Sequence, residues 1–211
     1  MAPKNLPGII SIRIVLALSL FIAVYWQVSD RLLHNLFRPE EYFAFFSITS
    51  SLIAAAVLTL SSIQLIRGQS ETKLLSLSRL TMAVSMVIVG VIYNALLRGG
   101  APDERDIGYD WPVLPNEIIH TYVPVLILLE WLLVRTTFTL KLKQAFWVLI
   151  YPLSWLAFSI TRGVIQGWWP YWFIDPQYGI ETQIMWIFAI AALFSIFALG
   201  FIPAQKALAK R

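Results

Sequence analysis

Apolar residues run through this chain in six long stretches separated by short polar segments, at residues 9–27, 42–66, 80–97, 117–134, 145–161 and 180–202. Each approaches the roughly 20 residues that cross a bilayer core as a helix. The pattern predicts an all-α fold, an integral membrane bundle of six transmembrane helices forming one domain over residues 1–211. The first stretch follows a short segment containing Lys4, in the manner of a signal peptide. Its length, and the lack of a small-x-small cleavage site behind it, predict a retained helix. Arg13 near its start is expected to snorkel to the boundary. In the fourth stretch, Pro124 removes one backbone bond and displaces the carbonyl of His120. A bend near residues 120–124 and a carbonyl open to another donor follow.

Composition agrees with this pattern. Charged residues are only 13% of the chain and hydrophobic residues 58%, with mean hydropathy +0.71. A soluble domain carries about a quarter of its residues charged, so most of this surface must face lipid. Nine Trp and eight Tyr suit the membrane–water boundary. The net charge of +4 comes from scattered Lys and Arg with no basic run, which excludes a nucleic-acid surface. Position along the chain makes those charges informative. Eleven of the sixteen flank the N-terminus, the 67–79 and 135–144 loops and the tail; five lie in the other three loops. This bias places both termini in the cytoplasm. Glycines and three prolines make the 99–116 loop irregular. The run GWWPYWFIDPQY at 167–178 is too rich in rings and prolines for a helix and is expected to plug the outer end.

Polar residues inside a membrane are costly, so their placement points to function. Ser47 and Ser51 share one face of the second helix. Tyr93, Asn94 and Arg98 end the third helix, His120 and Thr121 begin the fourth, and Arg162 ends the fifth. At about 1.5 Å per residue these fall at one depth near the outer boundary. The inner half offers less: Thr59, Ser61, Ser62, Gln64 and Glu130. Tyr93 and Trp131 read as boundary anchors, and Arg98 and Arg162 as partners of outer acids. A neutral imidazole beside a hydroxyl suits an activated nucleophile, which singles out His120. No cysteine is present, and no G-x-S-x-G, P-loop, H-E-x-x-H or histidine pair, so neither a metal nor an organic cofactor is implied.

The segments YFAFFSITSSL (42–52), VIYNALLRG (91–99), IIHTYVPVLILLEWLL (118–133), YPLSWLAFSITRG (151–163) and GWWPYWFID (167–175) resemble the androgen-induced-protein family of six-helix membrane hydrolases, most closely its bacterial branch. The resemblance covers roughly residues 40–180 in the family's order. It implies cleavage of fatty acid esters of hydroxy fatty acids by an intramembrane Thr nucleophile with a His partner, here in a bacterial cytoplasmic membrane. The family His matches His120. The Thr falls at Ser47, where FFS replaces an aromatic-x-Thr run; Thr49 and Ser50 lie close by. On this expectation Ser47 attacks, His120 acts as base and then acid, and Asn94, Tyr93, Thr121 or Arg162 steady the oxyanion. Arg98 or Arg162 holds a substrate carboxylate at the boundary. A non-catalytic lipid-binding or scaffold protein is the alternative; a transporter is disfavoured by the lack of an inverted repeat or midplane charge pair.

The charge bias yields a direct topological expectation. A reporter fused after Arg211 that is active only in the cytoplasm should be active, whereas one that works only outside the cell should be silent.

Overall fold

The computed structural model describes residues 6–100, 103–134, 138 and 140–208. Lys4, Arg135, Lys210 and Arg211, four of the basic residues that set the expected orientation, lie outside the described residues, as does Pro102 of the 99–116 loop. The described residues form helices and turns with no strand. Six helices are long and apolar enough to cross a membrane: α1 (Leu6–Leu33), α2 (Phe46–Ile66), α3 (Lys73–Leu97), α4 (Val113–Leu133), α5 (Leu142–Gln166) and α6 (Ile180–Leu208). Six crossings bring the two termini to one end of the bundle, called here the terminal end. The 34–45, 98–112 and 167–179 connections occupy the other, the plug end.

Several helices outrun their apolar stretches. α1 continues through Asp30 and Arg31 to Leu33, and α3 starts at Lys73 because Thr72 caps it, accepting the Leu75 N–H at 3.2 Å. Such polar end turns are held by caps and ion pairs, which a hydropathy window does not register. α3 forms the centre. It packs against α2, α4, α6 and the first turns of α5. Leu80, Ala83, Val84, Met86 and Ile88 are buried around its circumference, as expected of a helix enclosed on all sides. α5 behaves differently: its first turns, Leu142–Leu149, are a tight 3₁₀ segment against α6 and α3. Beyond Ile150 only Ser159 and Gly163 are buried, and long side chains bridge to the neighbours: Tyr151 bonds Ser50 at 3.0 Å and Trp155 donates to the Ala44 carbonyl at 2.9 Å.

The terminal half is richer in buried charge than the sequence suggests. Arg13 does not snorkel; its side chain is 1% exposed and donates to Glu130 at 2.6 Å and to Glu71 at 2.8 Å. Arg79 closes the cluster with bonds to Glu71 at 2.9 Å and to Glu130 at 2.6 Å. Ser61 bonds both Arg13 and Glu71. The cluster thus joins α1, α2, α3, α4 and the 67–72 loop. Trp131 is also no boundary anchor: it is fully buried, beneath the Arg79 guanidinium, and its indole N–H donates to the Phe201 carbonyl of α6 at 3.3 Å. Arg13 lies close enough to its helix end that snorkelling was the cheaper expectation. Its acidic partners sit 58 and 117 residues away, beyond any local pattern.

Removing one member of a buried ion cluster strands the others. Glu130→Gln should therefore lower stability by about 3–5 kcal/mol, read as loss of folded protein in a detergent unfolding titration. Arg98→Gln, at an exposed pair, should leave that titration nearly unchanged.

Candidate active site

Ser47 owes its position to where α2 begins. The helix starts at Phe46, and Phe45 before it offers no side-chain cap. The first N–H groups of such a helix have no partner within it. The Ser47 N–H finds one in the plug, donating to the Tyr171 hydroxyl at 3.4 Å. That hydroxyl also interacts with the Ser47 side chain, and burial pushes it up to about 12. It stays protonated and able to donate at neutral pH.

His120 sits in a π-helical turn, Ile118–Tyr122, directly before Pro124. The wider turn absorbs the bond that proline cannot make. The carbonyl of His120 is open to another donor, as the proline predicts, and accepts from the Asn94 amide at 3.2 Å. Tight packing supports the junction, since a Cβ on Gly90 would lie 3.1 Å from Pro124 and 3.3 Å from that carbonyl. The ring is fixed as well. Its Nδ1 lies 2.9 Å from the Asn116 carbonyl. A carbonyl only accepts, so Nδ1 carries the proton and, in the neutral ring, Nε2 keeps the lone pair of a base. Tyr93 stacks on the imidazole at 4.2 Å between centroids, with its hydroxyl held by the Asn116 amide at 2.6 Å.

Ser47 and His120 line one cavity of about 450 Å³, within the range of about 300–1,000 Å³ usual for ligand sites. It runs from Gly99, Gly100 and Trp111 at the plug end to Leu149 and Phe194, about halfway down α6. Pro170, Tyr171, Phe173 and Ile174 of the plug cover it, and α5 and α6 flank it with Leu153, Leu156, Ile187 and Ala191. The plug is anchored from below: Trp169 lies against Gly163, where a Cβ would come within 2.6 Å of the ring. No hydrogen bond joins Ser47 to His120 among the described residues.

The other expected residues divide. Tyr93 is on the cavity wall. Asn94, Thr121 and Arg98 are not; they form a cluster behind the His120 backbone. There Arg98 pairs with Glu117 at 2.7 Å and donates to Thr121 at 3.1 Å. None of the three lines the cavity, so the structure does not place them against a substrate bound there. Arg162 is also off the wall, and its guanidinium covers Trp168 at 4.5 Å. Thr49 and Ser50 turn to α5, where Tyr151 bonds both, at 3.1 and 3.0 Å. Two wall residues were not singled out from the sequence, Tyr171 and Gln27. Gln27 closes the last apolar stretch of α1 and has only its depth to recommend it. No family model matches the chain, and neither a curated protein nor a solved structure matches it significantly.

The plug's fit on α5 is open to test. Gly163→Ala must displace the Trp169 ring, at a cost of about 1–3 kcal/mol for overpacking. Its tryptophan emission should shift to the red as the plug loosens, and plug proteolysis should accelerate; unchanged emission and cleavage would show that the plug does not rest on this contact.

Proposed function

We propose that the chain is an intramembrane lipid-ester hydrolase acting on a fatty-acyl ester. The observation that carries this is that Ser47 and His120 both line one apolar cavity of about 450 Å³, which reaches from Gly99 and Gly100 to Phe194. His120 is disposed as a general base, with Nδ1–H held by the Asn116 carbonyl and Nε2 left free. In the first step Nε2 takes the Ser47 proton while Oγ bonds the ester carbonyl carbon. The N-terminus of α2 and the Tyr171 hydroxyl provide donors for the oxyanion. Collapse expels the alcohol, which takes the proton from Nε2, and leaves an acyl-serine. Water, deprotonated by Nε2, then releases the fatty acid and restores Ser47. The resemblance to the androgen-induced-protein family supports the same pair of residues. The bias of basic residues supports a cytoplasmic terminal end, so that the cavity serves the outer leaflet of a bacterial cytoplasmic membrane.

A non-catalytic lipid carrier is the second reading, favoured by the missing hydrogen bond between Ser47 and His120. Contacts of this kind often tighten only with substrate bound.

The two separate cleanly. A fluorophosphonate probe should label Ser47, and Ser47→Ala and His120→Ala should each lower ester turnover by at least about a hundredfold. Both variants should elute as folded protein in detergent. Full turnover in either, or no labelling of the native chain, would remove the hydrolase assignment.

A further inference from the structure

The terminal end presents charge of one sign to its surroundings. Its two acids, Glu71 and Glu130, are spent inside the bundle on Arg13 and Arg79. The remaining acids of the chain lie at the plug end, in the connections or the helix turns that adjoin them. Arg67, Lys73, Lys141, Lys143 and Lys206 are exposed at the terminal end. Among the described residues, none of these five joins an ion pair. The buried cluster thus has a consequence at the surface: it consumes the only carboxylates that could neutralise those cations.

Three of the cations belong to one corner. α5 begins and α6 ends at this end, and the first turns of α5 pack against α6. Gln144, Ala145 and Val148 are the buried side of those turns. Lys143, Phe146 and Trp147 are exposed on the other side, with exposed Lys141 and Leu142 just ahead of them. The backbone here is fixed, since the Lys141 N–H donates to the Gln144 side-chain oxygen at 2.7 Å. Lys206 comes from the last turn of α6. Its neighbour Gln205 is buried and donates to the Trp131 carbonyl at 2.8 Å and the Val134 carbonyl at 3.1 Å, which pins that turn in place.

A lysine ammonium is a point charge on a flexible apolar stem, suited to phosphate. Exposed rings beside cations at the end of a membrane-crossing helix mark the level of the lipid headgroups. A small anion in water would use the lysines and leave Leu142, Phe146 and Trp147 without a role. A lipid uses both. We propose that Lys141, Lys143 and Lys206 bind the phosphate of an anionic phospholipid of the phosphatidylglycerol type, whose acyl chains lie on Leu142, Phe146 and Trp147. The site is at the opposite end of the bundle from Ser47 and stands apart from the hydrolase function.

Retained lipid tests this directly. The full chain is reconstituted in nanodiscs holding equal amounts of phosphatidylglycerol and phosphatidylcholine, transferred to mild detergent, and its bound lipid identified by native mass spectrometry. A lysine near an anionic surface is worth roughly a fivefold preference, so phosphatidylglycerol should exceed phosphatidylcholine by at least about tenfold. The excess should vanish in the triple variant Lys141→Gln, Lys143→Gln, Lys206→Gln. It should persist in Arg67→Gln, at the end of α2 away from this corner, and in the presence of inorganic phosphate. Equal retention of the two lipids, or an unchanged excess in the triple variant, overturns the proposal. The same loss in Arg67→Gln overturns it too, since it would mean a diffuse attraction of the whole end. Displacement by inorganic phosphate would reduce the site to a small-anion site and also overturn it. Should the triple variant not fold, the three single variants decide, each expected to lower the excess severalfold.

Discussion

The buried cluster of Arg13, Glu71, Arg79 and Glu130 carries the architecture. Lipid tails are as apolar as leucine, so helices in a bilayer gain little from packing apolar faces together. Polar contacts between helices must supply part of what the hydrophobic effect supplies in water. Here two guanidinium groups and two carboxylates meet at the terminal end, each nearly inaccessible to solvent. They tie α1, α2, α3, α4 and the 67–72 loop at one point. Trp131 and Gln205 extend the tie to α6, the amide of Gln205 donating to the Trp131 carbonyl at 2.8 Å. A bundle clamped this firmly at one end can open at the other. Beyond Ile150 α5 bridges to its neighbours through long side chains, and Leu153 and Leu156 line the cavity there.

One backbone defect shapes the rest of the site. In a bilayer every carbonyl needs a partner, because no water reaches it. Pro124 breaks that rule for His120, and the chain answers with the π-turn before the proline and the Asn94 amide from α3. Tyr93 also opens a π-turn, Tyr93–Leu97, at the facing end of α3. Two widened turns therefore lie side by side, and between them Tyr93 and Asn116 hold the imidazole in one orientation. Asn94 is best understood in this light. It repairs the proline's damage and so positions His120 without touching the cavity.

Much of this was legible from residues alone, for identifiable reasons. Six spans follow from hydropathy because the bilayer sets their length. The freed carbonyl follows from proline chemistry, and His120 from the cost of an imidazole in lipid. The cavity cover at 167–178 follows from the concentration of rings and prolines. Other features depend on distant partners. Arg13 resembles any boundary arginine until Glu130 and Glu71 are folded against it. Asn94, Thr121 and Arg98 have the right depth but the wrong side of the helix pair, and depth is all that spacing along a span reveals. Tyr171 reads as one ring among five until the plug folds it over the start of α2.

The two ends of the bundle treat charge in opposite ways, and this bears on catalysis. At the terminal end charges are internal and cancel one another. At the plug end they lie in the connections and the last turn of α1: Arg105 grips Asp103 and Glu41, and Arg31 and Arg38 share Asp106. The cavity between is left with dipoles alone, namely the first N–H groups of α2, the Tyr171 hydroxyl and an imidazole oriented by a carbonyl. Dipoles of this kind gain little from a neutral ester in its ground state. They gain most when negative charge develops on the carbonyl oxygen, and they are fixed before that happens. A fixed cation on the wall would draw fatty acid products as strongly as it drew the transition state. On the proposed hydrolase function, an uncharged wall with oriented dipoles would favour the passing oxyanion and let a carboxylate product go.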